Sequence, residues 1–209
     1  MILLSTAYLG NLQYYSKLVS GRRVVIDICE SFMKQSYRSR AEIMAANGPV
    51  VMSVPVLRPH GVKVATRDVE IDYSKLWQPS HWHSLVSAYK KSPYFDEYAP
   101  EFEPFYHRKI KNLVELNDEL QRTVYNILGL EPNWEYSTRY YEQGEVERDF
   151  RNSISTKPRL KREDPEFEQV EYYQSFCEKN PFAGNLSIVD LLFAEGADAT
   201  LEILRASIK

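Results

Sequence analysis

Near residue 79 the apolar positions of the chain change period, from short β-branched runs to stripes spaced three and four residues apart. Residues 2–8 form a short apolar run that predicts a buried strand. Gly10 and Asn11 turn the chain. Leu12, Tyr15, Leu18 and Val19 then fall on one helical face, and Gly21 ends that helix. The run Val24-Val25-Ile26-Asp27-Ile28 predicts a second strand, buried on both faces. A β–turn–α–β opening of this length matches a right-handed crossover unit. In parallel sheets, ligands sit beyond the carboxyl ends of such strands.

From Ala41 to Asp72 the pattern stays strand-like. Glu42-Ile43-Met44 and Val50–Val54 flank Asn47-Gly48 and predict a hairpin, since Asn-Gly tolerates the positive φ of a tight turn. A loop is expected over Arg58–Thr66, with Pro59 and Gly61. Val69 and Ile71 alternate with polar residues as a half-exposed strand does. Beyond Pro79, Ser80 is the expected cap of a helix that carries Trp82, Leu85, Val86 and Tyr89. A second, aromatic helix over residues 94–108 should bend near Pro100 and Pro104. Leu113, Leu116, Leu120, Val124, Ile127 and Leu128 make the longest stripe, ended by Gly129. Ser187 and Asp190 read as a capping-box variant before Leu191-Leu192-Phe193, with a break at Gly196. The expected class is α/β or α+β: a mixed sheet from residues 2–72, then a helical half from about 80 to 128. Residues 1–209 are expected as a single domain. The densely charged stretch 145–168, interrupted by Pro158 and Pro165, is expected to be a mobile loop or arm.

Composition narrows the function classes. The 209 residues carry a net charge of -3, without the basic excess of a nucleic-acid-binding domain. Two cysteines, Cys29 and Cys177, do not make a disulfide framework. The first residues lack a basic region ahead of their apolar stretch, and no run approaches the ~20 apolar residues of a membrane span. A cytoplasmic protein without membrane insertion is expected. The Tyr-rich composition suits a polar ligand site, because Tyr offers an apolar face and a hydroxyl together; covering the edges of a core is its plainer use.

Phosphate-loop, dinucleotide, Gly-x-Ser-x-Gly and Cys-x-x-Cys signatures are absent. His81 and His83 lie two apart, on different faces of a helix, which does not suit a shared metal. Cys29 and either His60 or His81 would form a thiol–base pair only if folding brought them together; an unpaired cysteine is more often a small core residue. The segment Lys34-Gln35-Ser36-Tyr37-Arg38-Ser39-Arg40 follows the second strand. Its cations and hydroxyls predict an anion cradle formed by Lys34, Ser36, Tyr37, Arg38 and Arg40. A solvated basic strand end, or a cluster offset internally by Asp27 and Glu30, is the structural alternative. Tyr8 ends the first strand, and His81 flanks the Trp82 stripe, so both are expected to face the same cleft. His81 is the candidate acid–base residue, because imidazole titrates near neutral pH.

Five ordered blocks resemble the WbqC-like protein family, in the layout of its Bacteroides-type branch. They are Leu4–Leu18; Lys34–Arg40 with Asn47-Gly48 and Ser53–Val56; Trp77 and His81 with Ser87–Phe95; Asp149-Phe150-Arg151 with Lys157; and Tyr173–Phe176 with Asn185–Phe193 and Glu195-Gly196. Tyr8, Tyr89 and Arg151 stand inside these blocks and join the expected substrate-binding set. The resemblance implies a place in bacterial surface (O-antigen) polysaccharide biosynthesis and work on amino sugars. The sequence departs from the family pattern at Ser5-Thr6-Ala7, at Gly10 and Asn11, at Cys29 and at Ser39. Two readings follow. In the first, the chain is an enzyme that modifies amino sugars by acyl or aminoacyl transfer or nucleotide-dependent activation. Its ligand would be a small sugar or nucleotide, its candidate cofactor a nucleotide or nucleotide sugar, with phosphate at the first turn and helix start. In the second, favoured by the altered Ser5–Ala7 block, it is a non-catalytic sugar-phosphate-binding or scaffold protein.

Overall fold

The structure, a computed structural model, describes residues 1–57, 62–157 and 162–209. The expected loop residues Arg58–Gly61, with His60, and Pro158 of the expected arm lie outside the described residues. The chain opens as its pattern predicts. β1 (Ile2–Ser5), α1 (Leu12–Leu18) and β2 (Val24–Asp27) bring the two strands side by side, parallel, with Ile2 opposite Val24 and Ser5 opposite Asp27. Both strands are apolar on consecutive positions because each is covered on two faces.

β3 (Arg40–Ala45) and β4 (Gly48–Ser53) form the antiparallel hairpin. Its connection is Ala46-Asn47, one residue earlier than expected. Gly48 takes the positive φ (105°) while still paired with Ala45. β5 (Val56–Leu57) and β6 (Glu70–Ile71) make a second short antiparallel ladder, and buried Val69 and Ile71 alternate with more accessible Asp68, Glu70 and Asp72, as expected of a half-exposed strand. α2 (Trp77–Tyr89) starts three residues before the expected cap. Pro79 sits in its first turn, where a missing N–H costs nothing, so Ser80 is helical. α3 (Phe95–Phe102) passes into a 3-10 turn at Glu103–Tyr106, with Pro104 at the junction. α4 (Leu113–Ile127) is capped by Asn112, whose Oδ1 accepts from Val114 N at 2.8 Å, and ends ahead of Gly129 at φ 65°.

β7 (Trp134–Tyr136) and β8 (Arg148–Asp149) complete the four-stranded sheet in the order β7-β2-β1-β8, every pair parallel. The strands expected in residues 2–72 are thus divided between this sheet and two separate antiparallel ladders. α5 (Ile188–Ala206) kinks at Gly196, whose φ/ψ of 79°/177° is open only to glycine and whose absent Cβ leaves room for the Tyr94 ring. Ahead of the kink, Phe193 packs on Tyr89, Phe95 and Phe102 with ring centroids 5.1–5.8 Å apart, the aromatic centre of the helical half.

The charged stretch 145–168 supplies sheet and core. Besides β8 it contributes buried Phe150 and Arg151, and Asp164 pairs with Lys17 of α1 at 2.9 Å with both side chains almost wholly enclosed. Glu166 bridges Arg22 and Arg148. Alongside Phe150, Ile154 and Phe167, which pack on the core, its anchors are ion pairs, which leave no apolar period in the sequence. Among the described residues no helix is long and apolar enough to cross a membrane.

Candidate functional site

Four strand ends meet at one edge of the sheet, and each delivers a polar group. Asp27, at the end of β2, is fully buried. Its Oδ1 accepts from the Cys29 and Glu30 amides (3.0 and 3.1 Å) and from Ser137 Oγ just past β7 (2.8 Å). Its Oδ2 accepts from Arg151 Nη1 at 2.6 Å. Arg151 also forks onto Asp149 at the end of β8, through Nε (2.9 Å) and Nη2 (2.6 Å). Burial disfavours the Arg151 charge, but Asp149 and Asp27 outweigh it and raise its pKa above the ordinary guanidinium value. Beside this network, Arg38 pairs in bidentate fashion with Glu30 (Nε–Oε1 2.7 Å, Nη2–Oε2 2.6 Å) and donates to Ser5 Oγ of β1 at 2.8 Å. Of the cluster cations only Arg38 is offset, by Glu30; Asp27 and Asp149 instead hold Arg151.

The chain leaves β1 toward β2 on one side and reaches β8 on the other, so a topological switch point lies between β1 and β8. A tight crevice of about 10 Å³ opens there, lined by Ser5, Thr6, Tyr37, Arg38, Phe150 and Arg151 among others, and holds no more than about one water. Across Tyr37 it adjoins a roomier cavity of about 400 Å³, walled by Arg40, Glu42 and Val51 of the hairpin and by Ser155 and Thr156. Arg40 forms no ion pair among the described residues, and its Nε is buried without an acceptor. A buried guanidinium N–H without a partner is costly.

The structure gathers only part of the expected cradle here. Tyr37, Arg38, Arg40 and Arg151 line the two adjoining spaces. Lys34 is exposed, and Ser36 spends its hydroxyl on Met33 O (2.7 Å) within the turn. Tyr8 and His81 meet each other in the core: Tyr8 Oη lies 2.9 Å from His81 Nδ1 and 3.1 Å from Tyr106 Oη. Burial holds His81 neutral by lowering its pKa to about 4, and a hydrogen bond to the Ser53 backbone only partly opposes this. Tyr89 is fully buried and donates to Asp190 Oδ1 at 2.5 Å.

Two expectations are overturned. The first helix start does not offer free amides to a phosphate. Leu12 N donates to Leu186 O (3.1 Å), Gln13 N to Asn185 Oδ1 (2.9 Å) and Tyr14 N to Asn11 Oδ1 (3.0 Å), so the chain satisfies them itself. Ser187 and Asp190 do not form a capping box. Ser187 Oγ donates to Leu9 O at 2.7 Å, and the Asp190 carboxylate takes the hydroxyls of Tyr89 and Tyr172 (2.5 and 2.7 Å) and Gln174 Nε2 (3.3 Å). This tyrosine-bound acid was hidden by its helix-start position. Its burial raises its carboxyl pKa, opposed by those hydrogen bonds.

The profile of the WbqC-like protein family matches residues 6–157, well over half of the chain. The chain belongs to this family. The matched span of the WbqC-like protein includes Asp27, Glu30, Arg38, Arg40, Asp149 and Arg151, and so almost the whole strand-end site, whereas Ser5 and α5 lie outside it. No curated protein and no solved structure gives a significant match. Among the described residues, no group of three or more His, Cys, Asp or Glu is disposed to hold a metal. Neither Cys29 nor Cys177 is in a disulfide. Cys29 Sγ faces Ser137 O (3.5 Å) and Arg67 Nη1 (3.6 Å), without His81.

Proposed function

We propose that this WbqC-like protein is an enzyme that modifies amino sugars for bacterial surface polysaccharides, by acyl or aminoacyl transfer or by nucleotide-dependent activation. In this reading the phosphate or carboxylate of a sugar substrate is held in the cavity between Tyr37, Arg40 and Thr156. The observation that carries it is the Arg40 guanidinium: it is unpaired while its neighbours Arg38 and Arg151 are saturated by acids. Arg40 supplies the fork that suits phosphate or carboxylate. Tyr37, Ser155 and Thr156 bring hydroxyls to the same wall as Arg40.

A second reading, a non-catalytic sugar-phosphate binder, draws on a different observation. Asp27, Glu30 and Asp149 are all engaged by arginines, and His81 is neutral and enclosed, so the strand ends offer binding groups more readily than a free base.

A thermal-stability screen with sugar phosphates, nucleotides and nucleotide sugars tests both. A ligand at ~100 times its Kd should add about 2.7 kcal/mol, an easily visible rise in Tm. Arg40→Ala should leave the ligand-free Tm within about 2 °C and cut the rise by about half or more, since a charge-assisted hydrogen bond of about 1.5–3 kcal/mol is removed. An undiminished rise in Arg40→Ala sinks the proposed site. Turnover of a bound ligand that is lost in His81→Gln while binding persists would assign His81 acid–base work; binding with no turnover in the wild type selects the second reading.

A further inference from the structure

A separate groove lies between the end of α2 with its following turn and the segment 173–179, with a volume of about 640 Å³. That volume is in the range of small-ligand sites. Three observations about its walls point to one kind of occupant. The first is charge. Lys90 and Lys91 stand on one wall and Lys179 on the other, against a single acid, Glu178, and none of these four forms an ion pair among the described residues. Lysines at a helix C-terminus are ordinarily explained by the partial negative charge there. That explanation reaches Lys90 and Lys91 but not Lys179, which comes from a separate segment.

The second observation is an aromatic face. The Tyr173 backbone is pinned, its N–H donating to Glu195 Oε1 at 2.9 Å, while the residue is 56% exposed and its ring makes no ring–ring contact among the described residues. An exposed aromatic ring on a fixed stretch of backbone at the rim of a cationic groove suits stacking by a base. The third is backbone strain. Phe176 lies at φ 64°, in the left-handed region that non-glycine residues seldom adopt. Lys179 N and Asn180 N both donate to its carbonyl (2.9 and 3.0 Å), and this tight turn curls the chain so that Lys179 joins Tyr173 on one wall. Such strain persists where the surroundings or a function demand it. Ser92 Oγ and Ser175 Oγ, 3.0 Å apart, tie the two walls together.

We propose that this groove binds a nucleoside phosphate, with the base on Tyr173 and the phosphates among Lys90, Lys91 and Lys179. The inference is independent of the Arg40 cavity, and it relocates the nucleotide that the closed start of α1 cannot accept. The test uses the full chain. Calorimetric titration is run with the diphosphates of adenosine, guanosine, uridine and cytidine, with inorganic pyrophosphate, and with the free nucleosides. At least one diphosphate should bind, at least about tenfold more tightly than pyrophosphate, since stacking adds to the charge-assisted contacts. Lys91→Ala/Lys179→Ala should weaken it about tenfold or more, and Arg40→Ala should not. Cys177 lines the groove and is exposed, so a bound nucleotide should slow its alkylation, read by peptide mass spectrometry, with Cys29 as the internal reference. Failure of every diphosphate to bind, pyrophosphate binding as tightly as the nucleotides, or nucleotide binding that leaves Cys177 labelling unchanged would each overturn the proposal.

Discussion

Glu30→Gln is the sharpest perturbation of the strand-end network. The substitution keeps the shape of the side chain and removes one charge. Arg38 is 4% exposed and Glu30 6%, so the remaining guanidinium cannot turn to water for its counter-charge. The amide nitrogen of the new side chain would also face an arginine donor in place of an acceptor. Breaking a buried ion pair on one side costs about 3–5 kcal/mol. For a chain of this length about 2–4 °C of Tm is lost per kcal/mol, so a drop on the order of 10 °C is expected. The Glu30 backbone contacts, to Asp27 Oδ1 and from Thr66 N and Oγ1, are untouched, so the loss reports on the pair. Removing both charges in Glu30→Met/Arg38→Met should recover most of the stability, because two apolar side chains of similar volume need no partner. Calorimetric and urea unfolding of the wild type, Glu30→Met, Arg38→Met and the double variant give the coupling energy. A single variant that loses less than about 1 kcal/mol, or a double variant whose loss equals the sum of the singles, would refute the reasoning.

Other consequences are equally open to measurement. His81 has a folded pKa of about 4, below the ordinary 6.5, so as pH falls the unfolded chain takes up the proton first. Its contribution is intact above about pH 6.5 and is lost between about 6.5 and 4, by up to about 1.4 kcal/mol per pH unit. His81→Gln should flatten the stability profile in that window, and an unchanged slope would count against a neutral, buried imidazole. Gly196→Ala should cost on the order of 1–3 kcal/mol, because its backbone conformation is closed to alanine and the new Cβ would sit 2.8 Å from the Tyr94 ring; a Tm within about 1 °C of wild type would contradict that. Lys17→Ala strips the counter-charge from buried Asp164, and limited proteolysis should then cut within residues 145–168 faster than in the wild type. Unchanged cleavage would mean that the pair does not hold that stretch down.

Much of the fold is legible because burial writes itself as apolar period. Val24–Ile26 and the stripe from Leu113 to Leu128 declare their elements without help. β7 and β8 do not. Glu135 and Arg148-Asp149 are charged residues in three- and two-residue strands, whose pairing is set by partners more than a hundred residues away. The same limit governs the site. Lys34, Ser36, Tyr37, Arg38 and Arg40 are adjacent in sequence and look equivalent, yet only three-dimensional neighbours decide that Glu30 captures Arg38 and that Arg40 is left unpaired. Asp190 and Tyr89 are ordinary helix residues until the fold sets them 2.5 Å apart. The sequence-level hints of the network are Asp27, an acid closing a β-branched run where solvent does not reach, with Glu30 three residues on and the Asp149-Phe150-Arg151 block.

The position of β1 between β2 and β8 also has a temporal side. On the ribosome, β1 acquires its first neighbour within a few turns of chain, but its other edge stays unpaired until Asp149 has been made. At synthesis rates of ~5–20 residues per second, that edge is open for on the order of ten seconds. Throughout that interval Leu3 and its neighbours present unsatisfied amides and carbonyls to any passing strand. The charged, two-residue β8 is thus the closing stitch of the sheet, and the nascent chain is at its most aggregation-prone until that stitch arrives.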